Sequence, residues 1–234
     1  MSDLQAAFTT ALMLVIHFDR NLAEIVLLSL RVSLTAVLLA SLIGLPLGAI
    51  LGLWRFPGHR PAIILVNSLM GLPPVVVGLV VYLLLSRSGP LGSWGLLFTP
   101  SAMIIAQCIL VTPLVAALTR QVVETLWEEL QEQLRSLGVD PRQAIGTLLW
   151  EGRFSLLTAI LAGFGRAIAE VGAVLIVGGN IAHVTRTMTT AIALETSKGD
   201  LPLALGLGII LITLALLVNL GAYLMQQFAR RWQA

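Results

Sequence analysis

Arg166 and Glu170 stand four residues apart inside FSLLTAILAGFGRAIAEVGAVLIV, an apolar run from Phe154 to Val177. That spacing sets both on one face of a helix. Ionisable groups at membrane depth cost at least about 2.5 to 3.5 kcal/mol each on insertion scales unless they face protein or water. Two chemistries fit the pair. In one, Arg166 lines a path and offers positive potential to an anion, while Glu170 holds the guanidinium and prevents too tight a grip. In the other, the two form a structural ion pair that locks their span to a neighbour. The structural reading is favoured, because a pair that neutralises itself attracts an anion weakly. Further along, Thr185, Arg186, Thr187, Thr189, Thr190, Ser197 and Lys198 supply hydroxyl and cationic donors suited to an anion or to a partner's surface.

Other chemistries are poorly supplied. His17, His59 and His183 lie far apart without ligand-like spacing, which argues against a metal site. Cys108, the single cysteine, sits in an apolar run as a small packed hydrophobe and excludes an internal disulfide framework. No nucleophile and base appear together, so neither an enzyme nor a cofactor is expected. A net charge of +2, scattered between apolar runs, argues against nucleic acid. There is no G-x-x-x-x-G-K-[ST] phosphate loop, and the only lysine is Lys198. ATP is therefore not bound and hydrolysed here by that route, and energy from it must come through a partner.

The elements that position these residues belong in a bilayer. The chain is 57% hydrophobic and 11% charged, its mean hydropathy is +0.94, and several apolar runs approach the twenty residues a spanning helix needs. An all-α polytopic membrane protein with five transmembrane helices follows. The spans are expected at about Ile25–Trp54, Ala62–Leu85, Ser101–Leu118, Phe154–Val177 and Pro202–Phe228. Residues 4–18 are too short for a full span and lack a cleavage site. An N-terminal interfacial helix within 1–20 is expected, ahead of a transmembrane domain over 21–234. Gly44, Gly48 and Gly52 recur at every fourth position of the first span and leave a smooth strip for another helix backbone. Gly71, Pro73 and Pro74 must bend or break the second span, since neither proline has an amide hydrogen and each clashes with the preceding turn. That break either borders a path through the membrane or is a packing kink.

Between the third and fourth spans, Gln121 to Gly152 holds half of the 12 acidic residues. Val123, Leu126, Leu130, Leu134 and Leu137 fall at helical spacing, with Glu124, Glu128 and Glu132 on another face. Gly138 suits the left-handed position that ends a helix. Asp140 as N-cap, Pro141 at the first helical position and Gln143 three residues after the cap restart one, with Val139 and Ala144 placed as a staple. A helix, a sharp corner and a short helix result, a shape suited to a groove in another protein. Basic residues concentrate on the side of this insertion, which makes it and the C-terminus cytoplasmic and the N-terminus external.

These residues resemble a family. Glu132, followed six positions later by Gly138 between two spans, resembles the cytoplasmic "EAA" loop of type I ABC importer permeases, whose helix docks on the ATPase subunit. The family's two alanines are Gln133 and Leu134 here, and its distal Ile-x-Leu-Pro falls on Leu148, Trp150 and Glu151. MGLPPVVVGLVVYLLLSRSGPLG (Met70–Gly92) resembles molybdate and tungstate permeases. AGFGRAIAEVGAVLIVGGNIAHVTRTMTTAIALETSKGD (Ala162–Asp200) is similar to tungstate permease subunits. The resemblance implies a homodimeric permease in the cytoplasmic (inner) membrane, two ABC ATPase subunits, an extracytoplasmic oxyanion-binding protein and alternating access driven by ATP. It assigns ATPase coupling to Glu132, Leu134, Gly138, Val139, Asp140, Pro141, Arg142 and Gln143. The anion offered to Arg166, or to Thr185, Arg186, Thr189 and Thr190, would then be a divalent oxyanion: tungstate, with molybdate or sulfate as alternatives. An ion-coupled secondary transporter or channel is the competing class, and it predicts inverted repeats and a coupling-ion site that the sequence does not display.

Overall fold

Backbone in lipid must satisfy its own hydrogen bonds, which restricts an apolar chain of this length to helices or a closed barrel. The computed structural model describes residues 9, 10, 13 and 20–233. The interfacial helix expected over 4–18 lies outside them apart from Thr9, Thr10 and Met13. Among the described residues regular structure is helical, with one 3₁₀ turn at Gly92–Trp94 and no strand. In chain order the helices are α1 Arg20–Leu53, α2 His59–Met70, α3 Pro74–Leu85, α4 Pro100–Ser136, α5 Pro141–Glu151, α6 Arg153–Ile168, α7 Gly172–Gly178, α8 Met188–Lys198 and α9 Leu201–Gln233.

Among the described residues, three helices are long and apolar enough to cross a membrane unaided: α1, α4, and α9 over Leu201–Met225. Two broken pairs, α2 with α3 and α5 with α6, raise the number to five if each is one span. The second expected span is broken where the prolines stand. Its first helix ends at Met70, Pro73 takes an extended ψ of 121°, and Pro74 starts α3. The fourth departs from expectation: Phe154–Val177 is not one helix. α6 stops at Ile168 and seven-residue α7 begins only at Gly172. The third departs in the opposite sense, because α4 does not end near Leu118 but continues without interruption to Ser136.

The described chain groups into two units. One comprises Val37–Leu72, Cys108–Phe164 and Asn219–Ala234. Here the glycine strip of α1 lies against α4. A Cβ on Gly44 would meet Val115 at 3.0 Å, one on Gly48 would stand 2.6 Å from Thr119 Cβ, and one on Gly52 would stand 3.1 Å from Arg120 O. Only the missing side chain permits that approach. Buried His59, at the start of α2, holds the Leu51 carbonyl near the end of α1 through Nε2 at 2.7 Å.

The other unit comprises Met1–Ala36, Pro73–Gln107 and Gly165–Val218, so far as these are described. Its α3 and α7 touch at backbone distance, a Cβ on Gly78 falling 2.8 Å from Ala173 Cα. Phe98 donates its amide to Val177 O at 3.0 Å, and Ser29 Oγ accepts the Met188 amide at 2.8 Å.

Candidate functional site

The insertion forms a sharp corner. α4 contains 37 residues, about 55 Å at 1.5 Å per residue. A hydrocarbon core of about 30 Å cannot contain it. Past its polar end, the Gly138 amide donates to Arg135 O and the Val139 amide to Leu134 O, each at 3.0 Å. Gly138 has φ 74°, the left-handed stop in which orphan carbonyls of the last turn find donors. Asp140 then takes extended backbone and forms a capping box with Gln143. The Asp140 amide donates to Gln143 Oε1 at 3.3 Å. Pro141 and Arg142 open α5.

Burial fixes the angle of α5. Ala144 and Leu148 are fully buried in one cluster with Ala49, Leu53 and Val123, and Leu126, Trp127, Leu130, Leu134 and Val139 close around it. α5 and α6 meet at 74°, and a Cβ on Gly152 at that second corner would meet the side chains of Val122 at 2.9 Å and Leu126 at 3.0 Å. Glu132, Gly138, Asp140 and Gln143 are exposed, while Leu134 and Val139 are half-buried beneath them. Polar groups therefore face outward from an apolar base. Leu137, 77% exposed, and Trp150, 70% exposed, flank them. Arg153 lies 5.0 Å over the Trp150 ring and donates to its carbonyl at 2.8 Å.

At the root of the insertion Glu124 is gripped by Arg120, four residues earlier, with Arg55 at 3.9 Å. The sequence marked Glu124 only as one of a charged stripe. Its role as the link between α4 and the turn after α1 depends on a contact that spacing along one helix does not reveal.

The intramembrane pair comes apart. Arg166 is exposed in the last turn of α6, and Glu170 lies beyond the end of that helix, buried at 8%. No ion pair joins them among the described residues, and they do not share a helix face. Glu170 Oε1 instead accepts the Ala173 amide at 3.1 Å, capping α7, while its carbonyl accepts Thr189 Oγ1 at 2.8 Å. Across the break, buried Gln107 of α4 donates to Ala167 O at 2.9 Å. Side chains thus satisfy backbone groups that a continuous helix would have paired internally. Gln107 escaped the sequence reading, since a lone amide in an apolar run carries no spacing signal.

The threonine-rich segment is also unlike its expectation. Thr185, Thr187, Thr189 and Thr190 are buried and spend their hydroxyls inside the fold. Thr185 Oγ1 donates to Gly178 O at 2.5 Å and accepts the Ile181 amide at 3.0 Å. Thr187 and Thr190 form the capping box of α8. Arg186 keeps a half-buried side chain 3.8 Å from Glu195. Gly71 and Pro73, at the break of the second span, are exposed.

A family model described as "Binding-protein-dependent transport system inner membrane component" matches residues 44–232. The chain is 40% identical over 227 residues to the tungstate uptake system permease protein TupB of Peptoclostridium acidaminophilum, covering 97% of this chain and 100% of that one. It is 44% identical over 207 residues to a probable anion ABC transporter permease protein of Haloferax volcanii, covering 86% and 89%. A second tungstate uptake system permease protein, from Campylobacter jejuni, is 40% identical over 212 residues, covering 91% and 89%.

Proposed function

The chain belongs to the family of binding-protein-dependent transport system inner membrane components, and from that we propose that it is the permease subunit of an ATP-driven importer of a tetrahedral oxyanion, tungstate before molybdate or sulfate. It is a transport subunit rather than an enzyme. In this reading ATP is hydrolysed by partner ABC subunits, an extracytoplasmic binding protein delivers the oxyanion, and two copies of the chain form the pathway. The insertion and C-terminus are cytoplasmic, and the N-terminus is external.

The observation that carries the proposal is the corner at Gly138. α4 runs from the apolar region to this corner as one helix, and α5 is fixed to it by Ala144 and Leu148. A push on Glu132, Gly138, Asp140 or Gln143 is therefore transmitted along a rigid element rather than absorbed in a loop. These residues, with Leu134, Val139, Pro141 and Arg142, make up the proposed ATPase-docking element. The glycine strip against α4 supports the same account, since it couples α1 to the helix that carries the corner.

Arg166 remains a candidate for the path by itself. It is cationic, exposed and without a carboxylate partner among the described residues, at the end of a helix that stops within an apolar run. Glu170 acts as the cap that maintains the break, and Gly71, Pro73 and Pro74 give the second span its own break. The test is purification with the cognate ATPase and binding protein, followed by oxyanion uptake into proteoliposomes. Uptake that requires all three components supports the proposal; uptake by the chain alone refutes it and favours a secondary transporter.

A further inference from the structure

A second cationic site lies away from Arg166. A cavity of 650 Å³ is lined by Asn21, Glu24 and Arg31 of α1, by His183 and Arg186 from the segment after α7, and by Leu203 of α9. Its negative charge is already engaged. Glu24 Oε2 is 2.8 Å from His183 Nδ1, and Oε1 is 3.6 Å from Arg20 Nε. Its positive charge is engaged only in part. Arg31 has no carboxylate within ion-pair distance among the described residues. Arg186 Nε is buried with no hydrogen-bond partner among them. The nearest acid to Arg186, Glu195, lies at 3.8 Å and is shared with Lys198 at 3.1 Å.

A guanidinium presents five N–H donors in a planar fork that fits two oxygens of a tetrahedral anion. Two such groups with donors to spare, facing one space large enough for an anion and part of its water shell, are built for a divalent oxyanion. Apolar neighbours such as Leu27, Leu28 and Leu203 strengthen the attraction by lowering the local dielectric.

We propose that this cavity is an external holding site for the free oxyanion, gripped by Arg31 and Arg186 with His183 as a further donor, distinct from any contact at Arg166. The proposal rests on the importer reading and on the N-terminus being external. An anionic lipid headgroup offers the same phosphate tetrahedron, so the test separates the two sources.

The permease–ATPase complex in nanodiscs, without binding protein, is titrated with inorganic tungstate by equilibrium dialysis. One arm uses phosphatidylcholine alone and the other adds phosphatidylglycerol. The expected result is saturable binding in phosphatidylcholine that is displaced by sulfate but not by chloride. Arg31→Gln and Arg186→Gln each weaken it about tenfold or more, and Arg87→Gln leaves it unchanged. Arg186 also stands beside Glu195, so Arg31→Gln carries the test if the other variant does not assemble. Binding unaffected by Arg31→Gln overturns the proposal. So does an absence of tungstate binding in phosphatidylcholine, or phosphatidylglycerol that binds in an Arg31-dependent manner while tungstate does not. Uptake by the complete wild-type transporter with flat titrations would remove this site alone; absence of uptake would remove the importer reading itself.

Discussion

The Val139 amide reaches back across Gly138 to the Leu134 carbonyl at 3.0 Å. Together with the Gly138 amide on Arg135 O, that bond turns the end of α4 into a corner, and both depend on Gly138 adopting φ 74°. Proline at 138 is locked near φ −65° and has no amide to give Arg135 O. Gly138→Pro should leave the spans folded in the membrane but dissolve the corner, uncoupling ATP hydrolysis from transport. Gly138→Ala should cost roughly 1–2 kcal/mol of local stability for the left-handed backbone and keep partial coupling. The ratio of oxyanion imported to ATP hydrolysed distinguishes the three proteins.

Glu132 is exposed and is not paired in the described structure, so its charge contributes little to folding. Glu132→Lys is predicted to leave the thermal midpoint of the purified permease unchanged while weakening association with the ATPase about tenfold or more. Co-purification stoichiometry together with a thermal melt reads both effects. Equal ATPase recovery in variant and wild type would separate Glu132 from docking.

Leu148 supplies the buried weight of α5. Leu148→Ala should cost about 2–5 kcal/mol through lost contacts and a cavity, loosening α5 while preserving α4. Limited proteolysis should cut near Gly138 sooner than in wild type, and coupling should fall with it.

Gly48 tests the packing of α1 on α4. With Thr119 Cβ 2.6 Å from a Cβ placed there, Gly48→Val must push the two helices apart, at about 1–3 kcal/mol for overpacking. Lower yield and earlier aggregation in fluorescence size-exclusion chromatography are expected, with Gly146→Ala, which meets nothing within 4 Å, as the harmless comparison.

Arg166 and Glu170 should now behave differently from one another. Arg166→Gln is expected to leave folding intact and to slow oxyanion uptake. Glu170→Ala removes the acceptor of the Ala173 amide, and leaving that buried donor bare costs about 1–3 kcal/mol. Glu170→Gln, which retains an acceptor, should recover most of that loss in a thermal melt. Normal uptake by Arg166→Gln would take this residue out of the path.

What the sequence revealed and concealed follows the range of the forces involved. Stop and restart around Gly138 were legible because capping acts within a few residues, and the strip of Gly44, Gly48 and Gly52 was legible because its period matches a helix face. The break after Ile168 was not, since no proline marks it. It is held by Gln107, sixty positions away, and by a carboxylate that looked like half of an ion pair. The threonines from 185 to 190 looked like free donors because composition records their hydroxyls but not the Gly178 and Glu170 carbonyls that occupy them. The length of α4 was hidden by a change from apolar to charged residues that alters the solvent around a helix without ending it.

If the Gly138 corner delivers a partner's ATP hydrolysis, this chain moves an oxyanion only when that hydrolysis occurs. Tungstate uptake into proteoliposomes containing the permease, its ATPase and its binding protein measures this directly. The expected result is accumulation that requires ATP and all three components and is lost in Gly138→Pro. Accumulation without the ATPase, or unchanged in Gly138→Pro, would contradict it.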